Sequence, residues 1–180
     1  MLVNDKHLTT IWYDKAKEVI KIIDQRLLPF DLKIVELKTL EDFCFAIKEM
    51  QVRGAPLIGV TAAYGMYVAS KTTKNFSDLE KAGDSLKSTR PTAVNLSWAV
   101  DKIITEIKDM EKSNLQEIIL SIANEIRDQD IINCKAIGEN GSKLIENIYK
   151  KTQKKVNVLT HCNAGWLAAV DWGTALAPIF

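Results

Sequence analysis

Apolar positions in the first forty residues recur in short runs of the kind that strands make. Thr10-Ile11-Trp12-Tyr13 and Val19-Ile20-Lys21-Ile22-Ile23 flank a polar stretch over 14–18, which predicts a β-hairpin, and Pro29 closes this piece. Lys33-Ile34-Val35-Glu36-Leu37 predicts a further short strand. From Thr39 the period changes. Leu40, Phe43, Cys44 and Ile47 fall at i, i+3, i+4 and i+7, one helical stripe, and Thr39 with Asp42 three residues on has the form of a capping box. The stretch from Gly54 to Ser70 carries no charge, yet it falls short of the ~20 apolar residues that a bilayer span needs and contains Pro56, Gly59, Thr61 and Gly65. It predicts a helix opened by Pro56 and buried on all sides.

Helical spacing continues to about residue 150. An amphipathic helix is predicted over 76–88. Another is opened by Pro91, with Leu96, Val100, Ile103 and Ile107 on its apolar face. A long segment carrying Ile118, Ile122, Ile126, Cys134, Ile137, Leu144 and Ile148 follows, with a break expected near Asp128 or Gly141. After Lys155 the pattern switches to a buried-type strand, Val156-Asn157-Val158-Leu159-Thr160, then the small-residue loop His161-Cys162-Asn163-Ala164-Gly165 and a new apolar helix. Strand, loop and helix in that order open a parallel α/β sheet, whose other strands are expected from outside this chain. The fold class is therefore an α+β N-terminal part over residues 1–150, a small β-structure plus a helical bundle. The start of an incomplete α/β Rossmann-like domain over 151–180 follows it.

Composition narrows the function. With 24 Lys and Arg against 23 Asp and Glu the net charge is +1, which excludes binding nucleic acid by a basic surface. The interrupted clusters at Lys71–Lys74 and Lys150–Lys155 read as solvated surface. Cys44, Cys134 and Cys162 are too few and scattered for a disulfide framework or a zinc site. The opening Met1-Leu2-Val3-Asn4-Asp5-Lys6 lacks the basic and apolar regions of a signal peptide, so a cytoplasmic protein without a membrane partner is expected.

Three loops carry candidate chemistry. In Val52-Arg53-Gly54-Ala55-Pro56, a guanidinium stands beside a Pro-initiated helix N-terminus, and Gly54 permits close approach of backbone to a ligand. The reading is an anion site or an ordinary loop with a surface arginine. Thr89-Arg90-Pro91-Thr92-Ala93-Val94-Asn95 repeats the arrangement, and two such sites in one small chain strengthen the anion reading; Asn95 is a ligand contact or a helix hydrogen-bonder. The third, Thr160 to Gly165, places Cys162 at a strand end before a helix, where a thiolate is favoured as base or nucleophile. Its alternative is a small residue filling a turn, a fate that suits Cys44 and Cys134 on their apolar stripes. His161 points away from Cys162 in extended backbone and is not its partner. His7, in a polar stretch, has no expected chemical role.

Met50 to Val60, Arg90-Pro91-Thr92-Ala93-Val94-Asn95-Leu96 and Thr160 to Gly165 together resemble the methylthioribose-1-phosphate isomerase family, related to the regulatory subunits of translation initiation factor 2B. Asp24-Gln25 ahead of Leu28-Pro29, and Gly173-Thr174-Ala175-Leu176, fit as well, so the likeness runs the length of the chain. The resemblance implies an aldose–ketose isomerase of a phosphorylated pentose in methionine salvage, a homodimer using no metal or organic cofactor. It implies that Arg53, Gly54, Ala55 and Arg90 bind the substrate and that Cys162 is catalytic. The family's partner aspartate, a Gln and an Asn-Lys pair belong to a C-terminal half expected in the full protein or in a second chain, and without it this chain is expected to be inactive. Sister isomerases of 5-deoxyribose 1-phosphate or ribose 1,5-bisphosphate, and a non-catalytic initiation-factor-2B-like regulatory module, remain the alternatives.

Overall fold

The computed structural model describes residues 1–3, 5–73, 75–108, 110 and 114–180. A ribbon of two two-residue strands, β1 (Leu2–Val3) with β2 (Lys6–His7), precedes the sheet proper, and no apolar pattern predicts it. The predicted hairpin is present as β3 (Ile11–Asp14) and β4 (Val19–Ile23), paired antiparallel with Ile11 opposite Ile22. The predicted third strand, β5 (Ile34–Leu37), joins β4 antiparallel with Leu37 opposite Ile20. Side chains alternate across a strand, so Ile11, Ile20, Ile22 and Leu37 enter the core while Trp12, Lys21 and Glu36 line the other face.

Five α-helices follow among the described residues. In α1 (Leu40–Lys48) the capping box forms: Asp42 N donates to Thr39 Oγ1, and the Asp42 carboxylate accepts from Thr39 N at 2.9 Å. α2 (Ala55–Ser70) is buried from Leu57 to Ser70 without interruption, as its lack of charge requires. Its polar residues bond their own helix, Thr61 Oγ1 to Leu57 O and Ser70 Oγ to Tyr67 O, so burial leaves neither hydroxyl without a partner. α3 (Phe76–Thr89), α4 (Val94–Ile107) and α5 (Leu115–Thr152) pack around it through Leu79, Leu86, Leu96, Ile103, Ile119 and Ala123. No helix among the described residues is long and apolar enough to cross a membrane.

The structure corrects three expectations. α4 begins at Val94, not at Pro91, because Ala93 N donates to Arg90 O at 2.9 Å and closes a turn that places Pro91 at its second position. α5 does not break at Asp128 or Gly141; it runs 38 residues. Gly141 serves close packing instead, since a Cβ there would come within 2.4 Å of Pro178 Cγ. Val156–Thr160 is not a strand, and the apolar segment after Gly165 forms only 3₁₀ turns at Trp166–Ala168 and Ala177–Ile179. A lone parallel strand leaves its backbone groups unpaired, and no other described strand stands beside this one.

Asp24 ties the end of β4 to the loop before α2. Its carboxylate accepts from Arg26 Nε at 2.9 Å, Arg26 Nη2 at 2.7 Å, Arg26 N at 3.1 Å and Gln51 Nε2 at 2.7 Å. The paired guanidinium, opposed by burial and helped by Gln51, holds the acid at about 2. A folded-state pKa below the unfolded value of 3.8 gives stability that is fully present above that value and lost as pH falls through about 2. Asp24→Asn is therefore expected to lower the unfolding free energy at pH 7 by about 2 kcal/mol in urea titrations. The difference from wild type should close between about pH 4 and about pH 2. A difference that persists at the acid end would show that the ion pair is not its source.

Candidate active site

Gln51, pinned by Asp24, and Val52, buried completely, hold the base of the first loop, and Val52 N donates to Ala46 O at 3.2 Å. Arg53 then turns outward and is exposed. Gly54 is the N-cap of α2, and no side chain caps this end. A Cβ on Gly54 would sit 2.0 Å from Ala168 O and 2.1 Å from Ala168 Cα, so only glycine lets the two backbones cross here. Ala55 and Pro56 follow as the opening residues of the helix. The Arg53 side chain borders an open concavity of about 370 Å³ together with Arg26, Lys48, Glu49 and Met50.

Arg90 ends α3, and the turn after it delivers Ala93 as the N-cap of α4, also without a side-chain cap. The first turns of α2 and α4 touch: a Cβ on Gly59 would lie 2.9 Å from Asn95 O. Two uncapped helix N-termini thus lie side by side, each preceded by an arginine, an arrangement that offers unpaired backbone N–H groups to an anion. Arg26 and Arg127 pair with Asp24 and Asp128, whereas no carboxylate pairs with Arg53 or Arg90 among the described residues. Beside these N-termini lies a cleft of about 330 Å³. Pro56 and Gly59 form one wall, Val94, Asn95 and Trp98 a second, and Asp130 with Asn133 of α5 a third.

Cys162 is exposed and has a φ of 75°, a left-handed conformation that non-glycine residues rarely adopt; Ala164 N donates to its carbonyl at 3.1 Å. Three residues on, Gly165 has a φ of 103° and meets Gly173, whose added Cβ would lie 2.0 Å from Gly165 C. The turn Trp166–Ala168 then lies against Gly54. The structure therefore joins the Arg53 loop to the chain that follows the thiol, and joins the Arg90 loop to the same region through the α2–α4 contact. No hydrogen bond links Arg53, Arg90 and Cys162 to one another among the described residues, and Arg53 faces a different concavity from the one that Asn95 lines.

Two residues to which the sequence reading assigns no role hold this region together. Gln25 N donates to Gln51 O at 3.0 Å and its Nε2 donates to Leu167 O at 2.7 Å, so it links the start of the Arg53 loop to the 3₁₀ turn at Trp166–Ala168. Its signal was a polar pair, Asp24-Gln25, ending an isoleucine-rich strand. Asp130 accepts from Val170 N at 2.7 Å, and burial pushes its carboxyl up, partly offset by that N–H and by the Cys134 thiol. A carboxylate on the apolar side of α5, between Ile126 and Ile137, was the visible sign. His7 also has a structural place, its Nε2 lying 2.7 Å from Asp171 Oδ2.

A three-stranded antiparallel sheet backed by helices, with two arginine-flanked helix N-termini exposed side by side, defines an α+β module with an anion-receptive end. Residues 51–176 match the model of the Initiation factor 2 subunit family, and the chain belongs to that family. Over its whole length it is 45% identical to the methylthioribose-1-phosphate isomerase of Methylorubrum extorquens and 47% identical to that of Rhizobium meliloti, covering 49% and 50% of those proteins. The chain thus spans about half the length of the curated relatives it matches. Among solved structures, 5-methylthioribose 1-phosphate isomerase from Pyrococcus horikoshii aligns with a TM-score of 0.80 at 34% identity, over 96% of this chain and 48% of that one. Translation initiation factor eIF-2B subunit delta from A. fulgidus aligns with a TM-score of 0.79 at 35% identity, over 96% and 50%.

The cysteines separate by environment. Burial pushes Cys44 up and, with the nearby Asp130 charge, raises Cys134 to about 11, so neither supplies thiolate at neutral pH. Iodoacetamide on the native chain is expected to alkylate Cys162 alone, read by peptide mass spectrometry. Modification of Cys134 at a comparable rate would contradict the burial that separates them.

Proposed function

We propose that this chain supplies one half of an aldose–ketose isomerase that converts 5-methylthioribose 1-phosphate to 5-methylthioribulose 1-phosphate in methionine salvage, within a homodimeric cytoplasmic enzyme. The observation that carries the reading is the crossing of Gly54 over Ala168, which brings the Arg53 loop beside the chain that follows Cys162. The isomerase relatives, similar along the whole chain, support the same assignment.

Phosphate on the anomeric oxygen blocks simple opening of the sugar to a free aldehyde. The enzyme must open the ring and transfer hydrogen between C2 and C1, which requires an acid and a base in a site closed to water, and donors that grip the phosphate. In this reading Arg53 and Arg90, with the backbone of Gly54 and Ala55 at the α2 N-terminus, hold the phosphorylated sugar. Cys162 is one member of the acid–base pair, for an enediol-type proton route or a hydride shift alike, and its partner acid comes from the half of the enzyme that lies outside this chain. The same chemistry would serve 5-deoxyribose 1-phosphate or ribose 1,5-bisphosphate. A purely regulatory module has no need of an exposed thiol in this loop or of two arginines that lack carboxylate partners among the described residues, which favours catalysis over the initiation-factor role.

The test joins this chain to the second half of the Rhizobium meliloti relative and follows ketose formation from each of the three sugar phosphates. Methylthioribose 1-phosphate is expected to be preferred, with Cys162→Ser lowering kcat at least ~10³-fold and Arg90→Ala acting mainly on KM, by roughly 30-fold. Equal rates for wild type and Cys162→Ser would remove the thiol from the mechanism. An inactive fusion, when the reciprocal fusion is active, would favour the regulatory module.

A further inference from the structure

Three helices turn one side each to the cleft beside the uncapped N-termini. Pro56 and Val60 stand four residues apart on α2, Val94 and Trp98 four apart on α4, and Ile126 and Asp130 four apart on α5, and all six line the same space of about 330 Å³. Gly59 keeps the α2 and α4 walls close, because a Cβ there would lie 2.9 Å from Asn95 O. The rest of the apolar side of α4, Leu96, Val100 and Ile103, is buried in the core, whereas Trp98 is 52% exposed and Val94 78% exposed. The indole therefore belongs to the cleft and keeps aromatic surface free for a ligand. Charge is as uneven as polarity. No Lys or Arg is among the residues that line the cleft, and its one ionisable group is Asp130. Its other polar side chains are neutral amides, and Gln129 Nε2 donates to Asn133 Oδ1 at 2.9 Å.

We propose that this cleft is the subsite for the C5 substituent of the sugar, and that Trp98, with Val94 and Val60, selects an apolar thioether there over a bare methyl group or a second phosphate. The inference rests on the isomerase reading above and deepens it by choosing among its three substrates. An anion held at the N-termini of α2 and α4 leaves the rest of its molecule at the mouth of the cleft, because Pro56 and Val94 lie in the first turns of those helices. A methylthio group is the end of a methionine side chain: apolar, polarizable and favoured in contact with an aromatic ring. A 5-deoxy sugar offers only a methyl and leaves the space by the indole unfilled. A 5-phosphate brings negative charge into a space lined by no cation and one carboxylate, and such like-charge juxtaposition rejects the wrong ligand.

The test uses the fusion of this chain to the second half of the Rhizobium meliloti relative, with two readouts. One is kcat/KM for methylthioribose 1-phosphate, 5-deoxyribose 1-phosphate and ribose 1,5-bisphosphate. The other needs no turnover: the nuclear Overhauser contact between the S-methyl protons of the bound methylthio sugar and the Trp98 indole. Trp98→Ala is expected to lower kcat/KM for methylthioribose 1-phosphate ~30-fold and for 5-deoxyribose 1-phosphate by no more than ~3-fold, narrowing the preference between them ~10-fold. Val94→Lys should raise kcat/KM for ribose 1,5-bisphosphate at least ~10-fold by bringing an ammonium to the rim. Circular dichroism of both variants should match wild type, because the replaced side chains are exposed. Turnover with a preference unmoved by Trp98→Ala, or bound sugar without the indole contact, would overturn the subsite and leave the isomerase reading standing. Binding with that contact but no turnover of any of the three sugars would overturn the isomerase reading and leave the subsite. A fusion that neither binds nor converts any of them would overturn both.

Discussion

The path of residues 165–171 is set by hydrogen bonds borrowed from other parts of the chain. Gln25 Nε2 donates to Leu167 O, Thr10 Oγ1 to Ala169 O at 2.7 Å and Thr10 N to Val170 O at 3.0 Å, while Asp130 accepts from Val170 N. Asp171 accepts from the Met1 ammonium at 2.7 Å and lies against His7. Ala168, Ala169 and Val170 are buried, and a buried backbone group left without a partner costs roughly 1–3 kcal/mol. The segment therefore stays in place only because β1–β2, the sheet and α5 each present the right group. The chain that follows the Cys162 loop is anchored by that docking.

The docking explains why the glycines sit where they do. Gly54 and Gly173 are places where backbone meets backbone at distances that exclude any Cβ, and both contacts fall within or beside the docked segment. The arginine loop consequently cannot move independently of the chain that carries the thiol. Asp24 and Gln25 add a second tie between the same two loops, one through Gln51 and the other through Leu167. Two distant stretches of sequence, at Gln51 and Leu167, are thus held by two adjacent residues at the end of one strand.

Much of the first 150 residues was legible in the sequence because local pattern and burial agree there. The β3–β4–β5 sheet, the capped α1 and the buried α2 follow from period, a capping pair and a run without charge. Where the outcome turns on long-range contacts, reading by pattern failed. Pro91 has the sequence form of a helix start, yet a backbone bond to Arg90 makes it part of a turn. Gly141 resembles a breaker but serves an approach by Pro178. Val156–Thr160 has the composition of a strand and lacks the neighbours that would make it one. For the candidate site, residue types and motifs nominate Arg53, Gly54, Ala55, Arg90 and Cys162, while Gln25 and Asp130 act through contacts more than a hundred and about forty residues away, which no local pattern displays.

The physical reading comes to one organisation: a helical bundle with a small sheet, residues 165–171 docked on it beside Gly54, and a long helix whose apolar face runs on beyond the bundle. Its central claim is that residues 165–171 are locked onto the body of the chain. The most direct measurement is native-state amide hydrogen exchange at Val170 in the isolated chain, compared with Leu159 eleven residues earlier. Protection of Val170 close to that of the buried α2 amides, with Leu159 unprotected, is the predicted result; exchange of Val170 as fast as Leu159 would contradict it.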